Sequence, residues 1–156
     1  MIIQSLYIAQ LHDIISYSPF PSGSGQIEVA NWIAVPMHPA SGEMTISDSH
    51  TPAGRSFRTM LSCRLRQSFS IPRACILKVV LCNGDELLIG SPDIPVQPNK
   101  NSTLYLDTFT INHDTFHPPL PIWQNAGKVS RKHLPFAPNT SFLPSSRKQN
   151  FALNIQ

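Results

Sequence analysis

The sequence predicts an all-β fold, a small antiparallel β-sandwich or barrel, on three observations. Fifteen prolines stand against seven glycines, and no window of about 12 residues free of both sustains apolar spacing at i, i+3 and i+4. Residues 55–66 alternate instead between apolar and polar. Asn83-Gly84 lies between two apolar runs, the strongest short-range hairpin signal. The 156 residues suffice for one domain with a sizeable core. Only 13% of them are charged, so the surface is either neutral and polar or covered by partners.

In chain order, IIQSLYIAQL at 2–11 has β-branched and aromatic residues and no breaker, and predicts the first strand. SPFPSGSG at 18–25 is too rich in Pro and Gly for helix or ladder and predicts a loop. IEVANWIAV at 27–35 predicts a second strand, stopped by Pro36 and Pro39. EMTISD at 43–48 is short and polar, and TPAG at 51–54 reads as a turn.

RSFRTMLSCRLR at 55–66 places Phe57, Thr59, Leu61, Cys63 and Leu65 on one face and Arg58, Met60, Ser62, Arg64 and Arg66 on the other. Period two over that length is a strand with one face in the core. ACILKVVLC at 74–82 and DELLIG at 85–90 then form the central hairpin. A two-residue type I′ loop at Asn83-Gly84 sets Cys82 opposite Asp85, Val80 opposite Leu87 and Lys78 opposite Ile89. Both faces of this hairpin are largely apolar, so it is central in the sheet or shows a face to another subunit. TLYLDTFTIN at 103–112 predicts the last strand. In all, about six to eight strands form the β domain over residues 1–120.

Residues 121–156 read as an irregular, Pro-rich arm. They hold five cations (Lys128, Arg131, Lys132, Arg147, Lys148) and no acid, whereas residues 1–120 hold seven cations and nine acids. A +5 arm on a −2 body suits an acidic surface, such as a neighbouring subunit or nucleic acid. Trp123, Phe136 and Phe142 supply anchors that a purely solvated linker has little use for. Cys63, Cys75 and Cys82, an odd count on apolar runs, predict reduced, buried thiols. The start lacks a secretory pattern, and no apolar run approaches the roughly 20 residues of a membrane span. The expected location is the cytoplasm, with no membrane partner.

Chemistry is sparsely signalled. Gly90-Ser91-Pro92 follows a strand but lacks the Lys and the following helix of a phosphate loop, and predicts punctuation. His113 and His117 have the H-x-x-x-H spacing, but they span a strand end and a Pro-Pro, where helical spacing is lost; they predict surface residues and no metal. Neither G-x-S-x-G nor a carboxylate pair on one face is present, so the expectation is no enzyme and no cofactor. Arg58, Arg64 and Arg66 make a basic stripe without interleaved aromatics, which disfavours nucleic acid. With Trp123, Lys128, Arg131, Lys132, Phe136, Phe142, Arg147 and Lys148, they are the candidate partner contacts.

Three segments in order carry a resemblance: EMTISDSHTPAGRSFRTMLSCRLR at 43–66, IGSPDIP at 89–95 and STLYLDTFTI at 102–111. Over roughly residues 40–115 this resembles small β-rich proteins encoded among the tail genes of phages and prophages of Bacteroides-like bacteria. The resemblance implies a phage tail or head–tail virion component without cofactor or catalytic residues. Such a component self-associates as a homo-oligomer, contacts neighbouring virion proteins, and is cytoplasmic during assembly and virion-borne afterwards. The Pro-rich basic end after His117 has no counterpart in that pattern. The alternative is a β module for a small ligand or glycan, with Trp32 and Trp123 as platforms; a hydrolase ranks below it.

Overall fold

A computed structural model describes residues 1–19 and 25–122. Apart from one 3-10 turn at Leu11–Asp13, the regular structure is antiparallel β. The strands are β1 (Ile2–Gln10), β2 (Ile14–Pro19), β3 (Gly25–Val29), β4 (Ile33–Ala34), β5 (Gly42–Thr51), β6 (Gly54–Leu65), β7 (Cys75–Leu81), β8 (Glu86–Ile89), β9 (Asn99–Ser102), β10 (Asp107–Thr115) and β11 (Leu120–Pro121). One sheet runs β11-β8-β7-β1-β5-β6-β10-β9, with β4 on β1; β2 and β3 form a separate ribbon. The order is open, so the sandwich alternative holds and the barrel does not.

The sheet turns a corner at β1. One edge of β1 pairs with β7 from Ile3 to Gln10; the other meets β5 only at Ile2–Ile3 and β4 at Tyr7–Ile8. The two halves, β11-β8-β7-β1 and β5-β6-β10-β9, share one buried cluster that includes Ile3, Leu6, Leu77, Leu61, Phe109 and Ile111. A register shift between Ile3 and Ser5 changes the parity of β1, which lets Ile3, Leu6 and Ile8 all reach that core. At the corner Gly42 lies opposite Ile3, and a Cβ there would stand 2.9 Å from the Ile3 Cβ and 2.7 Å from Met37 Cε. Only glycine permits this approach.

β6 follows the predicted alternation, with Thr59, Leu61, Cys63 and Leu65 buried and Arg58, Met60, Ser62 and Arg64 exposed. β7 is apolar on both faces because both are covered. Cys75, Leu77, Val79 and Leu81 enter the main core. Ile76 packs with Leu88 and Leu120 beneath Ile14, Tyr17 and Ile27 of the β2–β3 ribbon. The second face is therefore filled by this chain itself.

Several expectations need correction. Ser18, Pro19 and Gly25 belong to the β2–β3 ladder rather than to a loop, and the strand expected at 27–35 divides into β3 and β4. The short polar piece at 43–48 belongs to a ten-residue strand, β5, paired along β6. Residues 103–106 form a turn between β9 and β10, closed by a Thr103 N–H to Leu106 O bond of 2.9 Å.

The β7–β8 register differs by one from the type I′ expectation: Val80 faces Glu86, Val79 faces Leu87 and Lys78 faces Leu88. Gly84 N–H donates to Leu81 O at 2.9 Å, and Gly84 has φ +92° while Asn83 has no positive φ. This is a three-residue loop, a turn followed by a left-handed glycine, which Asn-Gly serves as well as a type I′ turn. Asn83 accepts the Asp85 N–H at 3.0 Å and donates to its carboxylate at 2.7 Å. Cys82 therefore sits exposed in the turn, not buried in a strand.

Gly42→Ala is expected to cost roughly 1–3 kcal/mol by over-packing the corner. Gly84→Ala is expected to cost about 1–2 kcal/mol through its left-handed backbone. Urea denaturation should show lower midpoints with an unchanged slope for both; a neutral Gly42→Ala would show that the corner can yield.

Candidate functional site

The outer face of β5, β6 and β10 is set by register. Glu43, Ser62 and Thr110 share one rung, with Arg64 and Thr108 beside it; Thr45, Met60 and Asn112 form the next, and Ser47, Arg58 and Asp114 the one after. It is a face of hydroxyl, amide and charged groups around one exposed methionine, Met60.

Arg58 and Arg64 lie on this face, Arg66 just beyond the end of β6, and all three are exposed. Arg58 is already engaged: its Nε and Nη2 donate to the two Asp114 oxygens at 2.8 and 3.0 Å. That fork, first through its hydrogen bonds and then through charge, holds the Asp114 carboxyl below the usual carboxylate range. Arg55 binds Asp48 at 2.7 Å and Lys100 binds Asp107 at 3.0 Å, which lowers both carboxyls in the same way. The basic stripe is thus partly neutralised within the chain. Trp123, Lys128, Arg131, Lys132, Phe136, Phe142, Arg147 and Lys148 lie outside the described residues.

Arg64 and Glu43 are different, since neither enters an ion pair among the described residues. Both border a cleft of about 730 Å³ that is also lined by His38, Ser41, Ser62 and Thr108. Its rim is rigid. Ser41 N–H donates to His38 O at 3.2 Å, with Pro39 and Ala40 as the central residues of the turn. Ala40 stands at φ 56°, a left-handed position usually left to glycine. The Ser41 hydroxyl donates to His38 O at 2.7 Å and accepts the Arg64 N–H at 3.2 Å, which pins the turn to β6.

A guanidinium, a carboxylate and hydroxyls on a fixed floor suit binding of a polar ligand. Cys63 borders the floor but is buried, and burial pushes its thiol up to about 11; Cys75 is pushed up to about 12. Among the described residues, no three His, Cys, Asp or Glu side chains converge as metal ligands.

His113 departs from the surface position expected of it. It faces inward on β10, 7% exposed, opposite Thr59 of β6, while His117 is exposed and contacts Pro118 O at 3.0 Å. The inward parity of Phe109, Ile111 and His113 is a sequence signal that the H-x-x-x-H spacing obscured.

Trp32 is no free platform: it packs against the Ile76 cluster, and Lys78 Nζ lies 5.2 Å from its ring and 4.7 Å from the Tyr7 ring. Among the described residues the most exposed aromatic side chains are instead Tyr105, which the reading of 103–112 as a strand passed over, and Phe116. Ser91 does serve as punctuation, its hydroxyl accepting the Ile94 N–H at 3.0 Å.

With a thiol-specific reagent, one fast-reacting cysteine is expected in the native protein, Cys82; Cys63 and Cys75 should react only on unfolding. Rapid labelling of Cys63 would refute the closed core. Ala40→Gly should raise stability by about 0.5 kcal/mol, the left-handed strain of roughly 1–2 less the 0.4–1 of glycine's freedom in the unfolded chain. Thermal melts would read that gain, and a lower melting point would contradict it.

Comparison of the chain with protein-family models, with curated proteins and with solved structures finds no match.

Proposed function

We propose that this chain is a non-enzymatic assembly protein, a phage tail or head–tail component that works through contacts with its own copies and with neighbouring virion proteins. One observation carries the reading: large apolar side chains stand in water at both ends of β10. Leu104 and Tyr105 are 86% and 91% exposed at one end, and Phe116 is 79% exposed at the other. Nine residues of strand separate these ends by about 30 Å.

Both ends are held in shape. The Thr103 hydroxyl donates to Leu106 O at 2.8 Å, and the Thr115 hydroxyl donates to His117 O at 2.6 Å. Fixed apolar groups at opposite ends favour head-to-tail contact, which closes into rings or continues as stacks. The resemblance over residues 40–115 supports a virion setting. The +5 arm against a −2 body supports contact between unlike surfaces, with Arg64 and Arg66 as further polar contacts. The protein is then cytoplasmic during assembly and virion-borne afterwards.

A second reading, a small-ligand or glycan module, draws on the cleft where Arg64 and Glu43 enter no ion pair among the described residues, with Leu106 in its wall and exposed Tyr105 next to it in sequence.

Light scattering of the full chain across two decades of concentration tests the first reading. A concentration-dependent oligomer is expected, and Leu104→Ser, Tyr105→Ser and Phe116→Ser together should shift it towards monomer with an unchanged circular dichroism spectrum. A wild-type chain that stays monomeric throughout would sink it. Saturable binding on a glycan array, abolished by Arg64→Gln, would favour the second reading instead.

A further inference from the structure

Two side-chain atoms among the described residues are buried without a hydrogen-bond partner, Thr59 Oγ1 and His113 Nε2. They belong to residues directly opposite each other across the β6–β10 seam. Thr59 is 1% exposed and His113 7% exposed, so neither orphan can turn to water without the strands moving. Side chains directly opposite in an antiparallel pair have Cβ atoms about 4.5–5.5 Å apart, so the two polar groups are neighbours in one apolar setting.

Among the described residues, the segment that carries them is held on one side only. β9 pairs with β10 from Asp107 to Thr110, and from Ile111 to Thr115 the ladder of β10 is with β6 alone. A strand segment with one neighbour opens more readily than one with two.

The charges around the imidazole do not offset its burial. On β10, Asp114 projects to the opposite face and is bound by Arg58 of β6. Asp48 of β5, one rung further on beside Phe57, is bound by Arg55 of β6. Beyond the strand, His117 is a second potential cation, and its charge opposes protonation. No carboxylate forms an ion pair with His113 among the described residues.

We infer that His113 and Thr59 form a proton-operated latch: neutral His113 keeps the β10 end closed on β6, and protonation of its imidazole loosens residues 111–115 from residues 57–61. Burial, outweighing the pull of Asp114, lowers the proton affinity of His113 below that of an ordinary histidine. As pH falls through about 6.5, the open segment takes up a proton before the closed one, so closure weakens progressively below that value. Above it the latch contributes its full stability. Phe116 follows this segment directly, so acid would also disturb one of the two apolar ends. That last link rests on the assembly reading; the latch does not.

Amide hydrogen exchange on the full chain, at pH 7.5 and 5.5 and corrected for intrinsic rates, tests the latch at Phe57, Thr59, His113 and Thr115. Protection is expected to fall roughly threefold or more at the lower pH in the wild type. It should stay constant in His113→Gln and His113→Leu. The same acid loosening in both variants would overturn the proposal, as would a wild-type His113 imidazole that titrates at or above the ordinary histidine range by NMR. Since two substitutions differing in polarity are compared, loss of one through misfolding leaves the other decisive. The readout is local to one chain, so failure of the latch and failure of self-assembly are told apart by exchange and light scattering respectively.

Discussion

A strand with apolar side chains on both faces is stable only when both faces are covered. β7 imposes that condition here. Cys75, Leu77, Val79 and Leu81 point one way, Ile76 points the other, and all of them are buried. The first set calls for a second sheet half above it, which the corner at Gly42 and Ile3 supplies by bringing β5, β6 and β10 over the same core. The second calls for a cover on the outside, which the β2–β3 ribbon, Trp32 and the residues around β11 supply. Even Lys78, the polar residue on that outer face, is accommodated by two aromatic rings rather than by an acid. The irregular order of the sheet follows from this demand.

What the sequence made legible was decided by how local each signal is. β6 was readable residue by residue, because its faces meet core and solvent and its side chains alternate accordingly. The β7–β8 hairpin was readable as a hairpin, but Asn-Gly fits both a two-residue and a three-residue loop. The choice depended on the φ of Asn83, which no residue pattern reports. β5 was hidden because its second half, Ile46–Thr51, runs past the densest packing and keeps few apolar residues; its ladder to β6 makes it a strand. β1 hides its period behind the shift after Ile3.

The candidate site was legible in part. Alternation placed Arg58 and Arg64 outward correctly, yet it could not say that Arg58 would meet Asp114 while Arg64 would meet no acid among the described residues. That difference is set by a register linking residues 56 positions apart. The cleft depends in the same way on the His38–Ser41 turn folding back onto Arg64, a contact across 23 positions. Exposure of Leu104 and Tyr105 depended on where β9 ends and β10 begins. The composition there, alternating and apolar, argued for a strand, and the Thr103–Leu106 turn overrode it.

β10 takes part in the core, in the outer face and in both apolar ends. Its inward residues Phe109 and Ile111 belong to the core, and its outward Asp114 neutralises a predicted contact residue on β6. It also bears an apolar group in water beyond either end. Phe109 sits where β9 and β6 flank the strand on both sides; among the described residues, His113 sits where only β6 does. A buried group is tolerable without a partner only while its surroundings stay closed, and closure is weakest where one neighbour is missing. The same termination of β9 that leaves the far half of β10 singly paired therefore gives one end of the strand the firmness of a core element and the other a capacity to respond. An assembly using both ends would thus have one contact fixed by packing and one set by the protonation state of a single imidazole.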